Sequence, residues 1–133
     1  MWAVLEGSKF DSSFLKYANF YEADLKDSSF RKADMTMASM QGAKLAGTYF
    51  TSANMYQAQM EGVQAESSFF DGADLTYADL SHAVIKNSDF SNANLFMTNM
   101  HEADAENSIW DGADKSLARG TNKKRLKSEQ WGK

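Results

Sequence analysis

The sequence predicts an all-β solenoid with four short sides per coil, and three observations predict it. Every fifth residue from Leu5 to Trp110 is apolar, 22 positions in phase with no insertion. Two residues before each stands a small one, such as Ala18, Ala23, Ser28, Ala33 and Ala38, with Val63 the largest of the set. A longer period of twenty lies over the period of five: Phe10, Phe30, Phe50, Phe70, Phe90 and Trp110 form one column, and Ser8, Ser28, Thr48, Ser68, Ser88 and Ser108 another.

A period of five fits neither the 3.6 of a helix nor the 2 of a plain strand. Two inward residues separated by one outward residue make a short strand segment, and the two residues left over turn a corner. Five residues therefore build one side, and a column that recurs every twenty means four sides per coil. Rings in the Phe column should stack at the strand spacing of about 4.8 Å, with the Ser-column hydroxyls beside them bonding backbone. From Leu5 to Asp114 this gives about five and a half coils, a rod about 26 Å long. No single coil buries enough to stand alone, so stacking holds the rod together.

The pattern stops at Lys115, which divides the chain into a solenoid over 1–114 and a tail over 115–133. The tail is basic and holds few large apolar residues: Leu117, Leu126 and Trp131 are expected to cap the last coil, with a short helix over Lys123–Gln130. At the other end Leu5 and Trp2 meet an open end. That end is expected to continue into a longer protein, to dimerise, or to be covered by Trp2.

Composition removes several classes of function. With 133 residues and no cysteine, one domain is expected, without disulfides, thiolate metal sites or a cysteine nucleophile. No apolar run reaches the roughly 18 residues of a membrane span, and the first residues are too short and acidic for a signal peptide. The expected location is the cytoplasm, or outside the cell by a signal-peptide-independent route. Glycines such as Gly42, Gly62 and Gly72 fall on corners, where they mark unusual backbone angles rather than a phosphate loop. His82 and His101 share a corner with Glu61 and Glu102, but a convex corner offers no pocket for a metal. No catalytic residues and no cofactor are expected.

The units Ala23-Asp24-Leu25, Ala73-Asp74-Leu75, Ala78-Asp79-Leu80, Ala18-Asn19-Phe20 and Ala93-Asn94-Leu95 resemble the A-(D/N)-L-x-x unit of the pentapeptide-repeat family. The resemblance covers residues 3–114. It implies a right-handed, quadrilateral β-helix. It also implies non-enzymatic protein–protein interaction, since members of the family occur as domains of secretion-system adaptors and effectors. Other members imitate the width and charge of duplex DNA and bind DNA gyrase.

The outward residues separate these functions. Over five coils, the corner at 16/17 and its repeats has six apolar residues among ten: Tyr17, Met37, Tyr56, Tyr77, Phe96 and Met97. The corner at 6/7 has only Ala46, the corner at 21/22 only Tyr21, and the corner at 11/12 none. A one-sided apolar stripe predicts a protein partner or self-association, as a structural rod or a homodimer through the stripe or an end. The smaller group Tyr49, Phe69 and Ile109, interrupted by Asp89, is read as chance exposure.

Charge supplies the alternative. Residues 61–114 carry eleven acids against Lys86 alone, whereas residues 115–133 carry seven bases against Glu129. Asp24 and Asp104 share a face, with Glu61 and Glu102 on one flanking corner and Glu66 and Glu106 on the other, the arrangement a DNA mimic would need. The first 60 residues, by contrast, are balanced in charge. The basic tail would suit nucleic acid, but the acidic body beside it competes, so nucleic acid is not the expected partner.

Overall fold

The computed structural model describes residues 3–120. Four parallel ladders run along it, each joining residues twenty apart. One passes from Val4 through Asp24, Lys44, Gln64 and Val84 to Asp104, and the second from Lys9 to Ile109. The third runs from Phe14 to Asp114 and the fourth from Asn19 to Arg119. The chain is a repeat solenoid whose strands are single bridged residues between corners. The backbone ladder continues past the end of the apolar pattern: Met100 donates its N–H to Arg119 at 2.6 Å. Lys115 occupies the next inward position and lays its side chain over the Trp110 ring, with Nζ 5.9 Å from the centroid. Burial lowers the pKa of this ammonium. Leu126, Trp131, Trp2 and the expected helix lie outside the described residues.

Inside, the Phe column stacks as its period requires. Ring centroids are 4.9 Å apart for Phe10–Phe30, 5.2 Å for Phe30–Phe50, 5.1 Å for Phe50–Phe70, 4.7 Å for Phe70–Phe90 and 4.4 Å for Phe90–Trp110. All five pairs lie within 14° of parallel. Phe20, the aromatic exception in its own column, fits by meeting Phe10 and Phe30 edge-on. Val63 and Ala65 show how tightly volume is kept. Both are fully buried, and the one oversized small position has an undersized large position on the same side.

The Ser-column hydroxyls reach the coil beneath, and that of Ser88 also reaches the Lys86 carbonyl of its own turn at 3.2 Å. Ser28, Thr48, Ser68, Ser88 and Ser108 donate to the carbonyls of Leu5, Leu25, Leu45, Ala65 and Ile85 at 2.6–3.0 Å. Ser88 Oγ also accepts the N–H of Ser68, so it sits inside the turn below and bridges its donor and acceptor. Ser108 does the same for Ser88 and Ile85.

The corners set the backbone. Most are closed by a turn bond such as Ser8 N–H to the Leu5 carbonyl at 3.1 Å, the Ser68 and Ser88 N–H groups going instead to the hydroxyls of Ser88 and Ser108, and the second residue has a φ between 52° and 72° at every position from Gly7 to Leu117. Seventeen of these residues are not glycine, and none is β-branched. A β-branched side chain at positive φ crowds the backbone most severely, which accounts for the exclusion. The exposed Gln57 provides the test. Gln57→Val should lower unfolding free energy by about 1–2 kcal/mol or more, whereas Gln57→Gly should be neutral or slightly stabilising in the same urea titration.

Candidate protein-interaction site

Hydrogen-bond accounting within one unit explains the outward residues. Around Leu25, the N–H of Ala23 closes a turn onto Phe20, that of Asp24 bonds Ala3, that of Leu25 bonds Lys44, and that of Asp27 bonds Ala46. The fifth N–H, at the first corner residue Lys26, has no place in this backbone scheme. Asp24 Oδ1 takes it at 3.3 Å. The same short bond runs from Thr36 to Asp34, Tyr56 to Asn54, Thr76 to Asp74, Ser81 to Asp79, Phe96 to Asn94 and Ser116 to Asp114, at 2.9–3.1 Å. Asp or Asn before the large residue is therefore a turn-forming acceptor. On sequence, Asp24 and Asp104 are read only as part of an acidic face. The signal was available in the two-residue spacing from each Asp or Asn to the first corner N–H.

These caps titrate. The Thr36 hydroxyl, followed by the Thr36 N–H, holds the Asp34 carboxyl below its usual range, and Ser116 does the same for Asp114. At Asp11 the Ser29 hydroxyl is the main cause, opposed by burial and assisted by Arg31. A folded pKa below the unfolded one means stability that is present at neutral pH and lost as pH falls below about 4. Asn serves the same cap at Asn54 and Asn94 without a charge. Asp34→Asn should therefore flatten the fall in thermal midpoint between about pH 5 and pH 3 relative to wild type. An equally steep fall in the variant would remove Asp34 from the account.

The acidic set is dispersed. Asp24 and Asp104 bond the N–H groups of Lys26 and Glu106, Lys26 Nζ lies 3.8 Å from Asp24, and Lys44 stands on the ladder between them. Glu61 faces an open groove of about 380 Å³ with Tyr21, Glu22, Gln41 and His82, where Gly42 and Gly62 contribute no side chains. The corner expected to lack any pocket thus has a shallow one, because two of its residues have no Cβ. Glu66 and Glu106 lie on exposed corner positions, and Glu102 shares its corner with His101. His82 and His101 meet edge-on at 5.3 Å, but no group of three metal-ligating side chains is present among the described residues.

The apolar corner is partly exposed. Tyr17 is 64% exposed, Tyr56 36% and Tyr77 47%, while Met37, Phe96 and Met97 are half-buried. Tyr56, Tyr77 and Phe96 pack edge to face, with centroids 5.9 and 6.0 Å apart and planes 82° and 88° apart. Lys16 Nζ sits 5.3 Å from the Tyr17 ring. Leu117, expected at the end of the shaft, stands on this same corner, 66% exposed. It occupies the second corner position, twenty residues after Met97, so the backbone phase directs it outward. By contrast, the smaller group pairs internally: Tyr49 stacks on Phe69 at 4.6 Å and the Arg31 guanidinium covers the Tyr49 ring at 4.0 Å.

The family model for pentapeptide repeats matches eight copies, over residues 1–36, 28–64 and 70–100. The chain belongs to the pentapeptide-repeat family. It is a structural repeat protein, as the ladders require. Among solved structures it is similar to a pentapeptide repeat protein from the Arabidopsis thaliana thylakoid lumen, at 25% identity over 93% of this chain and 72% of that one, with a TM-score of 0.48. It is also similar to Rfr23 of the cyanobacterium Cyanothece 51142, at 17% identity over 84% and 83% of the two chains, TM-score 0.40. A third likeness is to QnrB1, a plasmid-mediated fluoroquinolone resistance protein, at 17% identity over 95% and 94%, TM-score 0.41. No curated protein sequence matches the chain. No helix among the described residues is long and apolar enough to cross a membrane.

Proposed function

We propose that this pentapeptide-repeat protein is a non-enzymatic recognition rod that binds a protein partner through the corner bearing Tyr17, Met37, Tyr56, Tyr77, Phe96 and Met97. The observation that carries the reading is the edge-to-face ladder of Tyr56, Tyr77 and Phe96, partly open to solvent on one corner while the other three corners are polar but for Ala46 and Tyr21. Aromatic side chains held rigid by one another lose little freedom on binding, and burying them supplies the driving force of most interfaces. The rod is right-handed with about five and a half coils. It acts as one module of a larger secretion-related bacterial assembly.

The test is the double variant Tyr56→Asp with Tyr77→Asp. Capture of partner from the native host, read by mass spectrometry, should be lost while the circular dichroism spectrum is unchanged. Undiminished capture would eliminate this corner as the contact. A second reading, DNA mimicry toward a topoisomerase, is supported by the eleven acids of residues 61–114. It is weakened by the aspartates of that set that serve as turn acceptors. Failure of micromolar protein to inhibit gyrase supercoiling would reject it.

A further inference from the structure

The second residues of the apolar corner read Tyr17, Met37, Gln57, Tyr77, Met97 and Leu117, evenly spaced one coil apart. Read from either end, the order is large apolar, methionine, centre, centre, methionine, large apolar. In an antiparallel two-fold contact residue i meets j of the second copy and j meets i, so this order sets an apolar residue opposite each outer apolar residue. We propose that the partner at this corner is a second copy of the chain, lying antiparallel about an axis midway between Gln57 and Tyr77. Tyr17 then meets Leu117 of the second copy, Met37 meets Met97, and the centre is filled by Tyr56 and Tyr77 from both chains. This rests on the interaction reading above and names its partner.

Charge on the two flanking faces selects the direction. In a parallel two-fold pairing each flank would face the other flank of the second copy, which sets Asp74 against Asp79 twice, a destabilising contact, while the opposite-charge pair Asp114 with Arg119 lies at the end of the rod. In the antiparallel register Asp34 lies opposite Asn94, Asp74 opposite Asn54, Asp79 opposite Gln59, and Asp114 opposite Phe14. Arg119 falls opposite Asn19. No like charges coincide, and Lys16 sits at the same end as Asp114 of the second copy. Tyr17 and Leu117, at 64% and 66% exposure, are the most open members of the stripe, and this pairing covers both.

Sedimentation equilibrium of the full chain at micromolar to high micromolar concentration tests the inference. Wild type should be a dimer. Met37→Lys and Met97→Glu should each weaken dimerisation roughly tenfold or more, with circular dichroism unchanged. Both substitutions in one chain should restore the dimer at low salt, because each lysine then faces a glutamate of the other chain. A wild-type chain that stays monomeric, or a double variant no tighter than the single ones, overturns the antiparallel dimer. A monomer that still captures host protein in a Tyr56- and Tyr77-dependent way would overturn this inference alone. Loss of that dependence would also overturn the interaction reading.

Discussion

Phe70→Ala should lower the unfolding free energy by about 3–5 kcal/mol, among the largest losses available to a single substitution in this chain. Phe70 is fully buried, with Phe50 at 5.1 Å on one side and Phe90 at 4.7 Å on the other. Removing the ring leaves a gap between two parallel rings, and the closed backbone ladders at that level limit how far the walls can collapse into it. Phe10 is the internal control. It is only half-buried and has a single stacked neighbour, Phe30 at 4.9 Å. Phe10→Ala should therefore cost less than half as much in the same urea titration. Equal losses at the two positions would mean that stacking within the shaft does not govern stability.

The second large effect comes from adding volume rather than removing it. Ala58 is fully buried between Ala38 and Ala78 of the coils on either side. A larger side chain there must push against backbone on the opposite wall, so Ala58→Leu should cost about 1–3 kcal/mol or more. The natural arrangement at Val63 and Ala65 says how this is relieved: an enlarged small position needs a reduced large one beside it. Ala58→Val combined with Met60→Ala should accordingly lose less than the sum of the two single variants, a non-additivity of about 0.5–3 kcal/mol. Strict additivity would show that the two inward positions of a side do not share space.

Much of this was legible in the sequence because the period constrains it so heavily. The columns of Phe30, Phe50 and Phe70, the inward positions and the assignment of Tyr56 and Tyr77 to one corner all follow from counting in fives and twenties, and the structure places them accordingly. Hydrogen bonds were less legible. Nothing in the spacing says that the Ser88 hydroxyl enters the turn below, since that depends on which backbone donors the coil leaves unspent. Leu117 was misjudged for a different reason. Its neighbour Lys115 breaks the apolar pattern, and an apolar residue just beyond a break reads as a cap. The backbone phase outlasts the side-chain pattern, however, and carries Leu117 onto the exposed corner.

Everything functional here depends on residues twenty apart lying one rung apart, since that alone assembles the corner stripe. Paired spin labels measure it directly, and a chain without native cysteine accepts labels only where cysteine is introduced. With labels at Val4 and Val84 and, in a second sample, at Val4 and Asp104, electron–electron distances should centre near 19 Å and 24 Å, a step of about 5 Å for twenty residues. Distances that fail to lengthen by one rung between the two samples, or that spread far beyond the reach of the labels, would contradict the stacked coil and dissolve the stripe with it.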